Sequence, residues 1–466
     1  MTQPKVEPSR PRPRPVHPAP PASWPTAWTR FRHPRRMLST IAVYPSEVYD
    51  ELVVVRQYRG RPYLLVSDPE GVKHVLLSNA ANYLKPAKQR RLIEPTLGRS
   101  LLTSEGAEWQ QQRRLTAPAF RPNTIAAGIP GIAAAAEAMM ARWLSPSAEP
   151  TIEVHSEMLD LALGVIGRAM FGIDPGRMLD PILRAGARSQ VGLMTVETLI
   201  ALRLLGEESG HRLGKWLARV TARPIRDATA AMVAAARAAG AAGDGLLAAL
   251  DEGQRQDAGQ PLTSQEIQDH LVTMLIAGHA TTAAALVWVW YLLDLHPDVR
   301  LEVESELASQ LGGRLPTAAD IPRLPLTRMV IDETLRLYPV VPVIGRVAIA
   351  EDRICGVTVP PRTHVSIAPW VIHRHRALWH DPDHFDPRRF AADRLAEMHR
   401  FAYIPFSAGP RVCIGQGFAL TEMITIVAAV AQRFRLRLLP DHRVDIAGAG
   451  HVRPRGGLPM RLERRG

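Results

Sequence analysis

Residues 406–415 read Phe-Ser-Ala-Gly-Pro-Arg-Val-Cys-Ile-Gly, and residues 416–434, which predict a helix, follow directly. Cys413 therefore lies at a helix N-terminus, where free backbone N–H groups and the helix dipole favour a thiolate over a thiol. A thiolate is the form of cysteine that binds iron. A buried cysteine that only packs would leave the flanking glycines and arginine unexplained. The stretch predicts a metal ligand at Cys413.

The residues around this cysteine suit a flat, anionic cofactor. Gly409 permits a tight turn beneath such a group, and Gly415 permits a close approach of the backbone. Phe406 can shield the sulfur from water. Arg411 is placed to pair with a carboxylate of the cofactor.

The fixed positions Phe-x-x-Gly-x-Arg-x-Cys-x-Gly resemble the cysteine loop of the cytochrome P450 family, in its soluble bacterial type. The resemblance covers roughly residues 41–466 and implies one haem domain, mainly α with small β-sheets. It implies haem b, iron protoporphyrin IX, with the Cys413 thiolate as axial ligand. The implied reaction inserts one oxygen atom from O2 into a C–H bond of a hydrophobic small molecule.

A second pattern resembles a structural feature of the same family. Glu333 and Arg336 are three residues apart in Glu-Thr-Leu-Arg-Leu-Tyr-Pro, which places them on one helical face. Alone they would form a surface ion pair that contributes little. Together with Arg389 they resemble the family's buried Glu-Arg-Arg triad, which braces the haem loop. Arg388 stands where the family often has Glu, outside the triad.

Three further residues resemble the family's propionate-binding set. Trp109 and Arg113 are four residues apart and share one face of a predicted helix. This pair alone is weak evidence, because an aromatic residue and an arginine at this spacing are common. The resemblance implies that Trp109, Arg113 and Arg346 contact the haem propionates.

The predicted central helix contains Ala-Gly-His-Ala-Thr at residues 277–281. In the resemblance, Ala277 and Gly278 leave room for dioxygen, and the Thr281 hydroxyl passes protons to it. The family usually has an acid where this chain has Ala280, which puts the efficiency of oxygen activation in doubt. We hypothesise that water chains or His279 replace the acid, although helix geometry turns His279 about 100° away from position 280.

The composition limits which other classes of protein this chain can belong to. The chain has 466 residues, a net charge of +12 and two cysteines, Cys355 and Cys413. So few cysteines exclude a disulfide framework and predict a reducing, cytoplasmic location. Cys355 is predicted to be a packing residue within a strand. The chain shows no nucleic-acid-binding motif, and its basic excess favours acidic partners.

Residues 1–40 are rich in Pro and Arg and are predicted to be a disordered leader. They contain no apolar stretch of the kind that a secretory signal needs. Residues 41–466 are predicted to form the haem domain.

Residues 271–293 are almost continuously apolar and are long enough to span a membrane. Polar residues at the centre of this stretch favour a buried core helix instead, so no transmembrane anchor is expected. A cluster of histidines resembles an ordinary loop of the family more than a zinc site: His373, His375, His380 and His384.

Patterns elsewhere predict local elements. Residues 53–55 and 63–66 flank Arg-Gly-Arg-Pro and predict a hairpin. Residues 240–262 predict a loop, and Thr263 with Glu266 predicts a capping box that begins the next helix. Short strands are predicted near residues 346–349, 353–359 and 363–367.

The chain ends about fifty residues after Cys413, so we expect no attached flavin or iron–sulfur segment. Electrons are then expected from a ferredoxin with its reductase, or from a flavodoxin, docking near Arg388, Arg394 and Arg400. Apolar residues in the predicted pocket segments (84–101, 190–206, 274–282 and 340–344) favour a fatty acid, terpenoid or hydrocarbon.

Two alternatives remain open. A peroxygenase or isomerase would use the same haem without redox partners, which Ala280 favours. A non-enzymatic haem sensor would not need Thr281 or the small residues before it.

Overall fold

The computed structural model describes residues 13–24, 39–58, 61–145, 149–174, 176–180, 206–240, 245–256, 262–448 and 450–465. The helices are α1 Pro69–Lys73, α2 Ala87–Leu97, α3 Gly106–Thr116, α4 Pro122–Trp143, α5 Val154–Phe171, α6 Gly206–Ala238, α7 Leu246–Gln256, α8 Ser264–Leu295, α9 Pro297–Leu311, α10 Pro325–Leu337, α11 Pro369–Ile372, α12 Ala392–Glu397 and α13 Gln416–Ala431. The strands are β1 Val53–Tyr58, β2 Arg61–Val66, β3 Tyr83–Leu84, β4 Thr151–Glu153, β5 Ile344–Ala348, β6 Asp352–Ile354, β7 Val357–Val359, β8 His364–Ile367, β9 Phe434–Leu438, β10 Ile446–Ala447, β11 Arg453–Pro454 and β12 Pro459–Arg464.

The largest sheet has the strand order β1-β2-β8-β5-β3. Its first two strands form the predicted antiparallel hairpin, with Val55 opposite Leu64. Strand β8 then pairs with β2 in parallel, so a segment distant in sequence completes the sheet. A second sheet has the order β4-β12-β9, and β6-β7 and β10-β11 form separate pairs.

Helix α8 forms the centre of the core. It packs against α5, α10 and α13, and the side chains of Leu286, Val287 and Trp288 are fully buried. The predicted capping box is confirmed, because Thr263 and Glu266 each accept a hydrogen bond from the other residue's backbone N–H. A helix surrounded by other elements is apolar on all sides, which explains its membrane-like composition.

By length and composition alone, two described helices could cross a membrane, α4 with a mean hydropathy of 1.4 and α8 with 1.6. The most apolar windows of α4 and α8 are 39% and 72% buried inside the protein. Core helices pass the same test, so these two helices are weak evidence for a membrane span.

Part of the leader contacts the domain, contrary to the prediction that residues 1–40 are disordered. The backbone N–H of Val16 donates to the Tyr291 hydroxyl at 3.3 Å, and the Tyr338 hydroxyl donates to the Val16 carbonyl at 2.8 Å. The Trp24 indole donates to Glu47 at 3.0 Å. Buried aromatic hydroxyls need hydrogen-bond partners, and the leader backbone supplies them here. Residues 1–12 and 25–38 lie outside the described part of the chain.

The prediction of a loop over residues 240–262 is wrong in part, because α7 forms within it. Leu246, Leu247 and Leu250 of this helix are buried. Three leucines on one helical face stabilise a short helix by packing, which outweighs the Gly-rich and polar composition around it.

The predicted strand over residues 353–359 is a hairpin of β6 and β7, whose turn contains Cys355 and Gly356 with φ values of 46° and 82°. Cys355 is exposed and its sulfur lies 3.3 Å from Asp68, so its predicted role as a packing residue is wrong. Burial of the thiol group itself and the nearby Asp68 raise the pKa of Cys355 to about 11.

Candidate active site

A backbone hydrogen bond closes the cysteine loop, because the Cys413 N–H donates to the Phe406 carbonyl at 2.9 Å. Gly409 begins a short 3-10 turn between these residues, with φ of 68°. A β-carbon at Gly409 would lie 1.8 Å from the Leu76 carbonyl oxygen. The turn therefore requires glycine for two reasons, the left-handed backbone and the close approach. At Gly415 a β-carbon would make only an ordinary 3.8 Å contact, so contacts within the protein do not require glycine there.

The Cys413 side chain is accessible at its surface, yet burial raises the pKa of its thiol. Accessibility and a burial-raised pKa agree if the sulfur lies at the bottom of a cleft, where a small molecule reaches it but protein atoms surround it. The Gly415 N–H and the Arg113 guanidinium both lower the pKa of Cys413, but burial has the larger effect. The backbone N–H thus favours the thiolate in the predicted direction, but burial outweighs it in the free thiol. A coordinated metal is what deprotonates a cysteine in such a place.

Helix α8 has an accessible window in its otherwise buried middle. Residues 276–278 and 280–281 are partly accessible, whereas Leu275, His279 and Thr282 are buried. The Thr281 hydroxyl lies in this window and donates to the Ala277 carbonyl at 2.6 Å. Helix α8 packs against α13, which begins just after Cys413, so the window and the accessible sulfur lie on neighbouring elements.

Gly278 is required by helix packing. A β-carbon there would lie 2.9 Å from Cγ1 of Ile166 on α5. The missing side chain thus allows α8 and α5 to approach each other. The space that a side chain at position 278 would occupy is taken by Ile166. In the window, Ala277 and Ala280 are also small and partly accessible.

His279 is buried, and its Nδ1 lies 2.5 Å from the Leu275 carbonyl. Burial lowers the pKa of His279, so the imidazole is neutral at ordinary pH. Two positions along a helix correspond to about 200° of rotation, which turns His279 away from Thr281. These facts count against His279 as the replacement for the missing acid.

A cluster of cations surrounds Glu105. Arg411 pairs with this carboxylate, donates to the Ser104 carbonyl at 3.1 Å and stacks 3.8 Å above the Trp109 ring. Arg346 is only 7% exposed, and burial lowers the pKa of its guanidinium while Glu105 opposes the shift. The structure therefore brings Trp109, Arg346 and Arg411 together, while the electrostatic effect of Arg113 is on Cys413.

Lys85 also belongs to this cluster, although its sequence position between β3 and α2 carries no recognisable signal. Its ammonium group donates to the Leu101 carbonyl at 3.1 Å and to the Leu102 carbonyl at 3.0 Å. Burial, and secondarily the charge of Arg411, lower the pKa of Lys85 to about 7.

These residues fit a haem. Four cations (Lys85, Arg90, Arg346 and Arg411) act on one another around the single carboxylate of Glu105. Such an excess of half-buried positive charge needs anionic groups, and the two propionates of a haem supply them. The Arg90 Nε is buried without a hydrogen-bond partner among the described residues. A cysteine sulfur in a cleft and a nearby cationic cluster are the donor set that a haem-thiolate site requires.

The Glu-Arg-Arg residues lie together on the side of α10. Arg336 donates to both carboxylate oxygens of Glu333, at 2.6 and 2.8 Å, and neither side chain is exposed. Arg389 lies 3.4 Å from the same carboxylate. Arg336 also donates to the carbonyls of His373, Pro382 and His384. The pair thereby ties α10 to the segment that leads to the cysteine loop.

Comparison with known proteins agrees with this geometry. The family profile described as Cytochrome P450 matches residues 18–450. Two proteins of Streptomyces melanosporofaciens, "Cyclooctatin synthase" and "Cyclooctat-9-en-7-ol 5-monooxygenase", are each 35% identical, and each match covers 92% of both chains. The crystal structure titled "cytochrome P450DA heme domain" superimposes with a TM-score of 0.76 at 26% identity and covers 89% of both chains.

The chain therefore belongs to the cytochrome P450 family. The predicted fold, a haem domain that is mainly α with small β-sheets, is confirmed. The protein is a cytochrome P450 monooxygenase, and the family implies a haem-thiolate cofactor.

Proposed function

We propose that this monooxygenase hydroxylates a mainly hydrocarbon small molecule, with electrons delivered by a separate protein. The observation that carries the proposal is that the accessible Cys413 immediately precedes α13, which packs against α8 with its accessible window. A relative of matching length is named for cyclooctat-9-en-7-ol, which supports an apolar alcohol within the predicted class of hydrophobic substrates.

In this proposal Cys413 binds the iron of haem b, and Trp109, Arg346 and Arg411 hold its propionates together with Lys85. Arg113 lowers the pKa of Cys413, so it favours the ionised sulfur that ligation needs. Phe406 and Gly409 fix the loop that carries the sulfur, and Gly415 leaves space beside it. When bound, haem supplies the binding and two-electron activation of O2, which no side chain of the protein can perform.

In this proposal the residues of α8 leave space in the cleft and pass protons into it. Ala277 leaves space in the window, and Gly278 lets α8 lie close against α5. The Thr281 hydroxyl, held by the Ala277 carbonyl at 2.6 Å, accepts protons from the protein and passes them into the cleft. Ala280 offers no proton, so another group must supply it.

The electron partner is proposed to be an acidic ferredoxin or a flavodoxin that docks beside the cysteine loop. A cleft of ≈ 320 Å³ is lined by residues of this loop together with Arg328, Arg400, Phe401 and Gln416, among others. Arg400 lines it directly, whereas Arg388 pairs with Glu302 at 2.5 Å and Arg394 with Asp386 at 3.5 Å. Of the three predicted arginines, Arg400 gives the docking proposal the most support. A cytoplasmic location suits such a partner.

The substrate class is tested by titrating the purified holoprotein with cyclooctat-9-en-7-ol and with lauric acid, following the Soret spin-state shift. We expect a shift with the alcohol and, with a ferredoxin, its reductase and O2, a product one oxygen atom heavier. Absence of both a shift and a product with either compound would overturn the proposal.

The replacement of the usual acid by Ala280 favours a second candidate, a peroxygenase that needs no redox partner. Product formation with hydrogen peroxide alone, and none with ferredoxin, would select it. A Soret shift without any turnover under either condition would select the non-enzymatic haem sensor.

A further inference from the structure

His373 is a buried histidine to which the proposed function gives no role. It follows directly after the short helix α11 and is 0% exposed. Its Nε2 atom accepts a hydrogen bond from the backbone N–H of Ile404 at 2.9 Å. The ring also lies against Tyr403, with 5.3 Å between the ring centroids. His373 thus binds the segment that leads into the cysteine loop.

The hydrogen bond from Ile404 requires a neutral imidazole, because a protonated ring donates from both nitrogens. Burial, and secondarily the charges of Arg336 and Arg374, lower the pKa of His373 well below its ordinary value. The ring is therefore neutral near pH 7. Since Nε2 accepts, the ring proton lies on Nδ1.

The backbone of His373 contacts the Glu-Arg-Arg residues. Its carbonyl accepts a hydrogen bond from Nη1 of Arg336 at 2.8 Å. The other carbonyls to which Arg336 donates belong to Pro382 and His384, so all three come before the cysteine loop in the chain. These contacts hold residues 373–384, and a further group must connect that segment to the loop. The ring of His373 makes such a connection.

A path of backbone hydrogen bonds leads from Ile404 to the ligand. The Ile404 carbonyl accepts from the Ser407 N–H at 3.1 Å. Ser407 directly follows Phe406, whose carbonyl accepts from the Cys413 N–H at 2.9 Å. Ser407 has a φ of 63°, in the left-handed region that residues other than glycine rarely adopt, so its neighbours must hold it there. The placement of Cys413 therefore depends on how firmly Ile404 is held.

We propose that His373 is a positioning residue for the iron ligand, connecting Arg336 to Ile404 and thereby fixing the loop that carries Cys413. The inference rests on the proposed ligand role of Cys413. Groups behind a metal ligand orient it, and their loss typically weakens metal binding about 10–100-fold. His373 acts through its hydrogen bonds alone and neither gains nor loses a proton.

The first test reads the hydrogen bond in the wild-type protein. Nitrogen-15 NMR of the full chain, labelled in its histidines, distinguishes a ring protonated on Nδ1 from one protonated on Nε2. The His373 signals are those that disappear in His373→Gln. We expect a neutral ring near pH 7 with its proton on Nδ1. A proton on Nε2 would exclude the hydrogen bond from Ile404 and overturn the inference, and this result decides even where His373→Asn fails to fold.

The second test compares two amide side chains at position 373. Glutamine carries its amide at the position of Nε2 and can accept from Ile404, whereas asparagine is one methylene shorter and cannot reach it. Hydrogen–deuterium exchange of the peptide covering residues 401–415 is measured in the haem-free chain. We expect His373→Asn to speed this exchange about tenfold, since one hydrogen bond that holds the loop is lost. His373→Gln should stay close to the wild type.

The matched control is His375→Asn, which changes another fully buried histidine of the same segment. Its Nδ1 accepts from the Ala377 N–H at 3.2 Å, and asparagine keeps an acceptor at that position. This variant should leave the exchange of the 401–415 peptide unchanged.

The third test reads the ligand itself in the holoprotein. We expect His373→Asn to lose the thiolate-type absorption of its reduced carbon-monoxide complex at a lower urea concentration than the wild type, well before far-UV circular dichroism reports unfolding. His373→Gln should behave like the wild type. A role in stability alone would shift both transitions of His373→Asn equally.

That equal shift would overturn the inference, as would a folded His373→Asn whose 401–415 peptide exchanges at the wild-type rate. Failure of the proposed function is distinguishable. None of the tests uses a substrate, and a wild-type protein without the thiolate-type absorption would refute the ligand role of Cys413 while leaving the exchange and NMR results valid.

Discussion

Gly278 of α8 faces Ile166 of α5 so closely that a β-carbon on the glycine would lie 2.9 Å from the Ile166 Cγ1. Contacts this short force side chains or helices to move. Gly278 thus limits how closely α8 and α5 can approach, and it lies within the accessible window of α8.

Gly278→Ala is expected to destabilise the protein by about 1–3 kcal/mol, the usual cost of overpacking a core. The matched control is Gly164→Ala on α5, where a β-carbon meets no atom of the described chain within 4 Å. That change should be neutral or stabilise by up to about 1 kcal/mol through helix propensity. Urea unfolding measures both. Equal stabilities for the two variants would contradict the packing role of Gly278.

Glu333→Gln is expected to destabilise the protein by about 3–5 kcal/mol, because it leaves the fully buried Arg336 and the nearby Arg389 without a counter-charge. Little haem should be retained, since the segment tied by Arg336 leads to the cysteine loop. The control is Lys73→Met, which breaks the exposed pair with Glu70 at 3.0 Å and should change stability by less than about 1 kcal/mol. Haem content and unfolding free energy are the measurements. Normal haem loading in Glu333→Gln would count against the bracing role.

Cys413→Ser is expected to abolish the thiolate-type absorption of the reduced carbon-monoxide complex, because serine does not supply an ionised sulfur to iron. Cys355→Ser removes the other cysteine, which lies in the β6–β7 turn, and should leave the spectrum unchanged. A wild-type spectrum from Cys413→Ser would exclude Cys413 as the ligand.

Lys85 should make the stability of the haem-free chain rise with pH. The pKa of Lys85 is about 7 in the folded chain and 10.5 for an ordinary lysine, so between these values the unfolded chain binds more protons. Stability therefore increases with pH across this window, and Lys85→Gln should flatten the increase. Bound propionates would raise the pKa of Lys85, so haem should also flatten it. Denaturant titrations at several pH values test this, and identical slopes for wild type and variant would refute it.

Ala280→Glu restores an acid at the position where the family usually has one. We expect this variant to consume oxygen faster than the wild type, because the carboxyl group adds a proton donor one residue before Thr281. The rate of oxygen consumption with ferredoxin is the measurement. If Ala280→Glu leaves the rate of oxygen consumption unchanged, the missing acid does not limit proton delivery.

Much of the site was predictable because its residues are close together in the sequence. The cysteine loop spans ten positions, and the pairs Trp109–Arg113 and Glu333–Arg336 follow helical spacing. Spacing of this kind fixes which side chains share a face before any tertiary contact forms. Helix α7 escaped prediction because three buried leucines, visible only in the packed core, stabilise it.

The sequence by itself determined the family and the apolar central helix and predicted Cys413 as the ligand, since each depends on local pattern. Only the tertiary structure decided that Lys85 and Glu105 meet Arg411 and that Gly278 serves helix packing. Burial and long-range charge set the pKa of these groups, and both arise only when segments distant in sequence pack together.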